Sequence, residues 1–262
     1  MKVLTIGDVV GNCGCRCLKQ SLSRLKIENN IDLTIVNGEN SAAGNGITPD
    51  SAEYIFSSGA DVITGGNHTF RRYTIFDYLK KPLNILRPAN YPKNTPGKGF
   101  VKFKIGRIEI CVINLIGTNY LESMACPFET LDNILYKNEI SSCSIKIVDF
   151  HAEATSEKRA LGFFADGRVS VVFGTHTHVQ TSDEEILPRG TGYITDLGMT
   201  GVANSVLGVK TEISIKRMKN KIPLKFEQSE EGICKIECAV FDINENNGKT
   251  VDIKRIRLYE KI

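Results

Sequence analysis

Four histidines occur in the 262 residues. Each follows an apolar run: His68 in GGNHTF, His151 in IVDFHAEATSEK, and His176 with His178 in FGTHTHVQTSD. Imidazole titrates near neutrality and binds divalent metals through either ring nitrogen. Acids and amides close other apolar runs: Asp8 after VLTIG, Glu39 and Asn40 after TIVNG, and Asn67 just before His68. Asp, Glu, Asn and His are the ligand types of hard to borderline divalent metals. Taken singly, each has a plainer reading. An Asp after a strand serves turns, and a lone buried His is usually a hydrogen-bonded core group. That every histidine falls at such a place argues for one shared site.

The elements that must position these residues alternate in type. KVLTIGD (2–8), LTIVNGEN (33–40), DVITGGNH (61–68), SIKIVDFH (144–151) and VSVVFGTH (169–176) read as strands. LKQSLSRLKIENN (18–30) has Leu18, Leu22 and Leu25 at helical spacing, and Thr48-Pro49-Asp50 opens a second helix. Further helices are expected around 72–80 and through 155–164. Residues 100–117 read as a hairpin with a Gly-containing turn, and the last part as two strands around NENNG. The alternation predicts an α/β protein on a largely parallel core, with a mixed sheet or two packed sheets. With no repeat or long linker, residues 1–262 read as a single domain.

Ligands of open α/β sheets bind beyond the carboxyl ends of the strands. Five strand ends would bring seven candidate ligands to one rim: Asp8, Glu39, Asn40, Asn67, His151, His176 and His178. One catalytic metal needs only three or four protein ligands. The surplus points to two ions, roughly 3.5–4 Å apart, sharing a carboxylate. Glu39 is the natural bridge, and His176 and His178 would be divided between the ions. Gly7, Gly38, Gly66 and Gly174, just before these residues, are expected to let the backbone turn sharply.

Composition removes other classes. A net charge of +3 gives no case for bulk nucleic-acid or membrane binding. The basic stretch IKRMKNKIPLK (215–225) reads as a solvated face. No apolar run reaches 18 residues, and the N-terminus lacks a signal-peptide layout, so a cytoplasmic protein is expected. Eight cysteines in such a chain read as free thiols. Cys13, Cys15 and Cys17 lack zinc-site spacing, and Cys234 with Cys238 read as core filler on one strand face. A homo-oligomer is compatible with the sequence, which carries no signal for one.

Read in order, GDVVG (7–11), NGEN (37–40), GNHTF (66–70), HAEATSEK (151–158), DGRVSVVFGTHTHVQTSD (166–183) and YITDLGMTG (193–201) resemble the YmdB-like branch of the calcineurin-like metallophosphoesterases. The resemblance covers essentially the whole chain. It implies an α/β/β/α sandwich of two mixed sheets flanked by helices, with a dinuclear centre of iron or manganese. It also implies phosphodiesterase activity on cyclic nucleotides, notably 2′,3′-cyclic AMP. By position, Asp8, Glu39, Asn40 and His178 would hold one ion, and Glu39, Asn67, His151 and His176 the other. His68 matches the family's proton donor. Cys15 stands where the family pattern has Arg, with Arg16 one place later, and Phe70 replaces the commoner Trp.

The expected mechanism is attack on phosphorus by a hydroxide bridging the two ions, with His68 protonating the ribose leaving oxygen. The product from 2′,3′-cyclic AMP would be 3′-AMP. Two alternatives share the same residues: a phosphomonoesterase or protein phosphatase, and a regulator of RNA or nucleotide signalling that acts by binding. Two nearby features have local readings. TSEK (155–158) looks like a helix cap through Thr155 or Ser156, and Asp196 is a candidate either to orient a ligand histidine or to close a turn.

Overall fold

A computed structural model describes all 262 residues. In chain order the elements are β1 (Lys2–Ile6), β2 (Asp8–Val9), α1 (Gly11–Asn29), β3 (Leu33–Asn37), α2 (Pro49–Ser58), β4 (Val62–Thr64), α3 (Ile75–Tyr78), β5 (Phe100–Ile105) and β6 (Ile108–Ile116). There follow α4 (Pro127–Leu135), α5 (Asn138–Ser141), β7 (Ile145–His151), α6 (Thr155–Ala165), β8 (Val171–Thr175), β9 (Glu185–Ile186), β10 (Gly192–Ile194), β11 (Met199–Val202), α7 (Thr211–Asn220), β12 (Ile233–Ile243) and β13 (Thr250–Lys261).

The strands form two mixed sheets. In the first, β1, β3 and β4 run parallel. One edge of β12 takes β1 antiparallel, from Ile6↔Cys238 to Lys2↔Asp242, and then β11 over Cys234–Ile236. The other edge pairs with β13 along nearly its whole length. The second sheet has the order β5-β6-β7-β8-β10-β9, parallel from β6 to β10 with antiparallel strands at both margins.

Three apolar clusters separate four layers. Val3, Ile35 and Val62 of the first sheet meet Ile110, Ile147 and Phe173 of the second in a shared interior. Helix α1 buries Leu18, Leu22 and Leu25 on the outer face of the first sheet, with Ile55 of α2. Leu131 of α4 and Leu161 of α6 cover the outer face of the second. The strands covered on both faces are continuous apolar runs, as parallel strands require. This is the expected sandwich of two mixed sheets flanked by helices.

Several local expectations change. Helix α1 starts at Gly11, seven residues before Leu18, because Gly11 takes a positive φ of 61° and turns the chain straight from β2. The helix near 72–80 shrinks to one turn, Ile75–Tyr78. Helix α6 has Ala154 at its N-cap and no side-chain cap bond. Its Glu157 instead accepts from the Thr118 N–H at 2.8 Å. Gly7, Gly38, Gly66 and Gly174 do not have positive φ. They are needed for closeness: a Cβ on Gly174 would lie 1.8 Å from the Thr195 carbonyl oxygen, and one on Gly7 2.3 Å from that of Gly198. No helix is long and apolar enough to cross a membrane.

Candidate metal centre

The carboxyl ends of both sheets open on one rim. Asp8 lies in β2, Glu39 and Asn40 just past β3, and Asn67 and His68 in the turn after β4. His151 closes β7, and His176 and His178 follow β8. Glu39 sits in the middle. Its Oε1 is 3.3 Å from His151 Nε2 and 3.2 Å from His68 Nδ1, and its Oε2 accepts the His68 backbone N–H at 2.8 Å. Asn67 Oδ1 lies 2.9 Å from His151 Nε2. One potential ligand atom from each of Glu39, His151 and His176 falls within 4.8 Å of the others. On the opposite side, Asp8 Oδ1 lies 3.5 Å from His178 Nε2, with Asn40 Nδ2 3.3 Å from the same nitrogen. All eight residues singled out in the sequence therefore meet.

Each of three imidazoles has one nitrogen tied to an oxygen and the other turned inward. His151 gives Nδ1 to Thr175 Oγ1 at 2.9 Å and turns Nε2 in. His176 gives Nε2 to Glu153 Oε2 at 3.1 Å and turns Nδ1 in, 3.0 Å from His151 Nε2. His178 donates Nδ1–H to the Leu207 carbonyl at 3.0 Å and turns Nε2 in. An acceptor on one nitrogen fixes the proton there and frees the lone pair of the other for a metal. The T-H-T-H segment thus aims two histidines in opposite senses. It does so with left-handed backbone at both, φ 106° at His176 and 62° at His178.

The electrostatics ask for cations. Asp8 and Glu39 are fully buried, and their charged partners are imidazoles, not Lys or Arg. Burial would raise the Glu39 carboxyl, but His151 and His68 outweigh it and hold it well below the usual carboxylate range. Burial opposes charge on His151, yet Glu39, Asp8 and Asp149 raise it to about 9. Burial and the charge on His151 push His176 down to about 3. Protons on the ligands are thus standing in for positive charge, and metal binding releases such protons. Oxygen- and nitrogen-donor side chains around two buried anions fit divalent ions.

Asn40 needs comment. Its Nδ2 faces Asp8, Glu39 and His178, while its Oδ1 lies 2.9 Å from His68 Nδ1. Serving as an oxygen ligand requires a half-turn of this amide.

Three supporting residues escaped the sequence reading. Thr175 donates to Asp149 Oδ1 at 2.8 Å, so it accepts from His151. Asp149 is buried and also takes a bond from Asn37 at 3.1 Å. The available signal was an acid inside the apolar run KIVDFH, two residues before His151 and so on the same strand face. Leu207 contributes only a carbonyl, which leaves no signal. Asp196 does not touch a histidine ring. It accepts the Thr177 N–H at 3.1 Å and pairs with buried Lys158 at 2.6 Å, which pins the T-H-T-H loop. Cys15 is buried and Arg16 exposed. Cys13 and Cys234 are free thiols in the apolar layer under α1.

Comparisons with known proteins agree with this geometry. A sequence model of the YmdB-like protein family matches residues 4–256. The 2′,3′-cyclic-nucleotide 2′-phosphodiesterase of Bacillus subtilis is 46% identical over 256 residues, 98% of this chain and 96% of that protein. The crystal structure of a novel phosphatase from Mycoplasma pneumoniae superposes with a TM-score of 0.93 at 35% identity, covering 100% of this chain and 94% of that one. A Thermus thermophilus protein of unassigned function gives 0.93 and 35%, covering 99% and 100%. The Haemophilus influenzae NAD nucleotidase shares the fold alone, at TM-score 0.54 and 13% identity over 98% of this chain and 55% of that one. On these grounds the chain belongs to the YmdB-like family and is a hydrolase of the metallophosphoesterase kind.

Proposed function

We propose that this protein is a dinuclear phosphodiesterase that opens 2′,3′-cyclic nucleotides, with 2′,3′-cyclic AMP yielding 3′-AMP. The observation that carries the reading is the convergence of buried Asp8 and Glu39 with three inward-turned imidazoles. Asp8, Glu39, Asn40 and His178 would hold one ion. Glu39, Asn67, His151 and His176 would hold the other. Iron and manganese both suit this donor set. Bound there, the ions supply Lewis acidity to the phosphoryl oxygens and lower the pKa of water. The interior shared by the two sheets supports residues 1–262 as one domain.

His68 is the proton donor in this reading. Its Nδ1 faces Asn40, and its ring is partly exposed beside the rim. Turning the Asn40 amide to give Oδ1 to an ion would set Nδ2–H against His68 Nδ1. The His68 proton would then sit on Nε2, where a leaving oxygen can take it.

The test is phosphorus NMR of manganese-loaded protein with 2′,3′-cyclic AMP, beside Glu39→Ala. Conversion to 3′-AMP by the wild type alone is expected. A metal-loaded protein that leaves the cyclic diester intact but cleaves a phosphomonoester would replace this reading with a phosphatase.

A further inference from the structure

A cleft of about 850 Å³ opens on the other side of the loop that carries Asn40. It contains none of the eight candidate residues. Its lining includes Arg16, Arg71, Arg72, Tyr54 and Tyr73, against one acid, Asp50. Two features stand out. The tyrosines are not packing groups: Tyr73 is 81% and Tyr54 39% exposed. The arginines are partly set in place. Arg72 donates Nε–H to the Asn45 carbonyl at 3.1 Å, and Arg16 donates to that of Glu230 at 3.2 Å.

The cleft adjoins the rim. Ala42 and Ala43, which line it, follow Asn40 by two and three residues, a span of at most about 10 Å. Arg71 donates its backbone N–H to the His68 carbonyl at 2.9 Å. Guanidinium forks suit phosphodiester oxygens. Exposed aromatic rings are the platforms on which single-stranded bases stack.

We propose that this cleft binds the nucleotide next to the one being hydrolysed. The substrate it fits is a short oligoribonucleotide ending in a 2′,3′-cyclic phosphate. This rests on the cyclic-phosphodiesterase reading above. Water adds to phosphorus, the P–O2′ bond breaks, O2′ takes the proton, and the strand keeps a 3′-phosphate. The upstream phosphodiester lies on the arginines and its base on Tyr73 or Tyr54.

The test uses the manganese-loaded full chain and a 5′-labelled tetraribonucleotide ending in a 3′-phosphate, read by fluorescence anisotropy. The strand should bind at least tenfold more tightly than 3′-AMP, measured as a competitor. The log–log salt slope should lessen by about 0.7 in Arg16→Ala, the share of one phosphate contact on a single strand. Tyr73→Ala should weaken the strand and leave the salt slope in place. Equal affinity for strand and mononucleotide, or wild-type behaviour of both variants, would overturn the proposal. Displacement of the strand by a phosphoserine peptide as readily as by unlabelled strand would overturn it in favour of a phosphoprotein. Tight strand binding without turnover of 2′,3′-cyclic AMP would sink the diesterase reading and uphold the cleft.

Discussion

The two sheets arm the same rim differently. The first contributes the anions Asp8 and Glu39, the amides Asn40 and Asn67, and His68. The second contributes three imidazoles, each steered by an oxygen behind it: Thr175, Glu153 or the Leu207 carbonyl. One half therefore supplies charge and the other supplies aim. A substitution in the first half should act through electrostatics and one behind the second through orientation, with losses of different size.

The largest effects should come from the first half. Glu39→Ala removes the anion between both histidine sets. Its cost in manganese affinity, by calorimetry, should exceed the 10–100-fold, on the order of magnitude, that an outer partner commands. Gly66→Ala should match it without touching a ligand, because the new Cβ would meet Glu39 Oε2 and His151 Nε2, each at 2.3 Å. Wild-type metal content in Gly66→Ala would mean that the rim yields readily.

His68→Ala should lower kcat by about 10²–10⁴-fold while metal stoichiometry, by elemental analysis, stays at the wild-type value. Metal lost together with activity would move His68 into the ligand set.

Smaller losses should follow behind the second half. Thr175→Val keeps the shape but strands Asp149 and His151 Nδ1, and should weaken manganese binding by about 10–100-fold. Glu153→Gln should cost about tenfold at most, the low end of that range, because Glu153 is half exposed. If Glu153→Gln proved worse than Thr175→Val, Glu153 would be a ligand and the division between the halves would fail.

The smallest effect is a proton. Without metal, His151 is raised to about 9. Below that pH an ion must displace its proton, so affinity should rise with pH and level off above about 9. Binding enthalpies at neutral pH should differ between buffers of different ionisation enthalpy, in the direction of proton release.

The first half was the more legible in sequence, and the reason is physical. A polar residue that ends an apolar run announces itself, and so do glycines before it. What those glycines do was misread, since close approach and a left-handed turn call for the same residue. The steering oxygens were harder. Thr175 and Asp149 reach His151 across neighbouring strands, and Leu207 acts through its backbone, so spacing along the chain says nothing of them. Helix α4 was overlooked although Leu131, Ile134 and Leu135 have helical spacing. The sharing of one β12 edge between β1 and β11 has no local signature at all.

That shared edge has a consequence for how the molecule is made. Every candidate site residue has left the ribosome by residue 178. The strand that completes β1, however, spans Ile233–Ile243, and it pairs residues 2–6 with 238–242. Pairings this distant in sequence are slow to form. A nascent chain therefore carries all its metal-binding side chains for some sixty residues of synthesis before the sheet that aims them can close. Premature capture of an ion by the half-made protein is avoided by topology, because the anions and the imidazoles come together only once the two ends of the polypeptide have met.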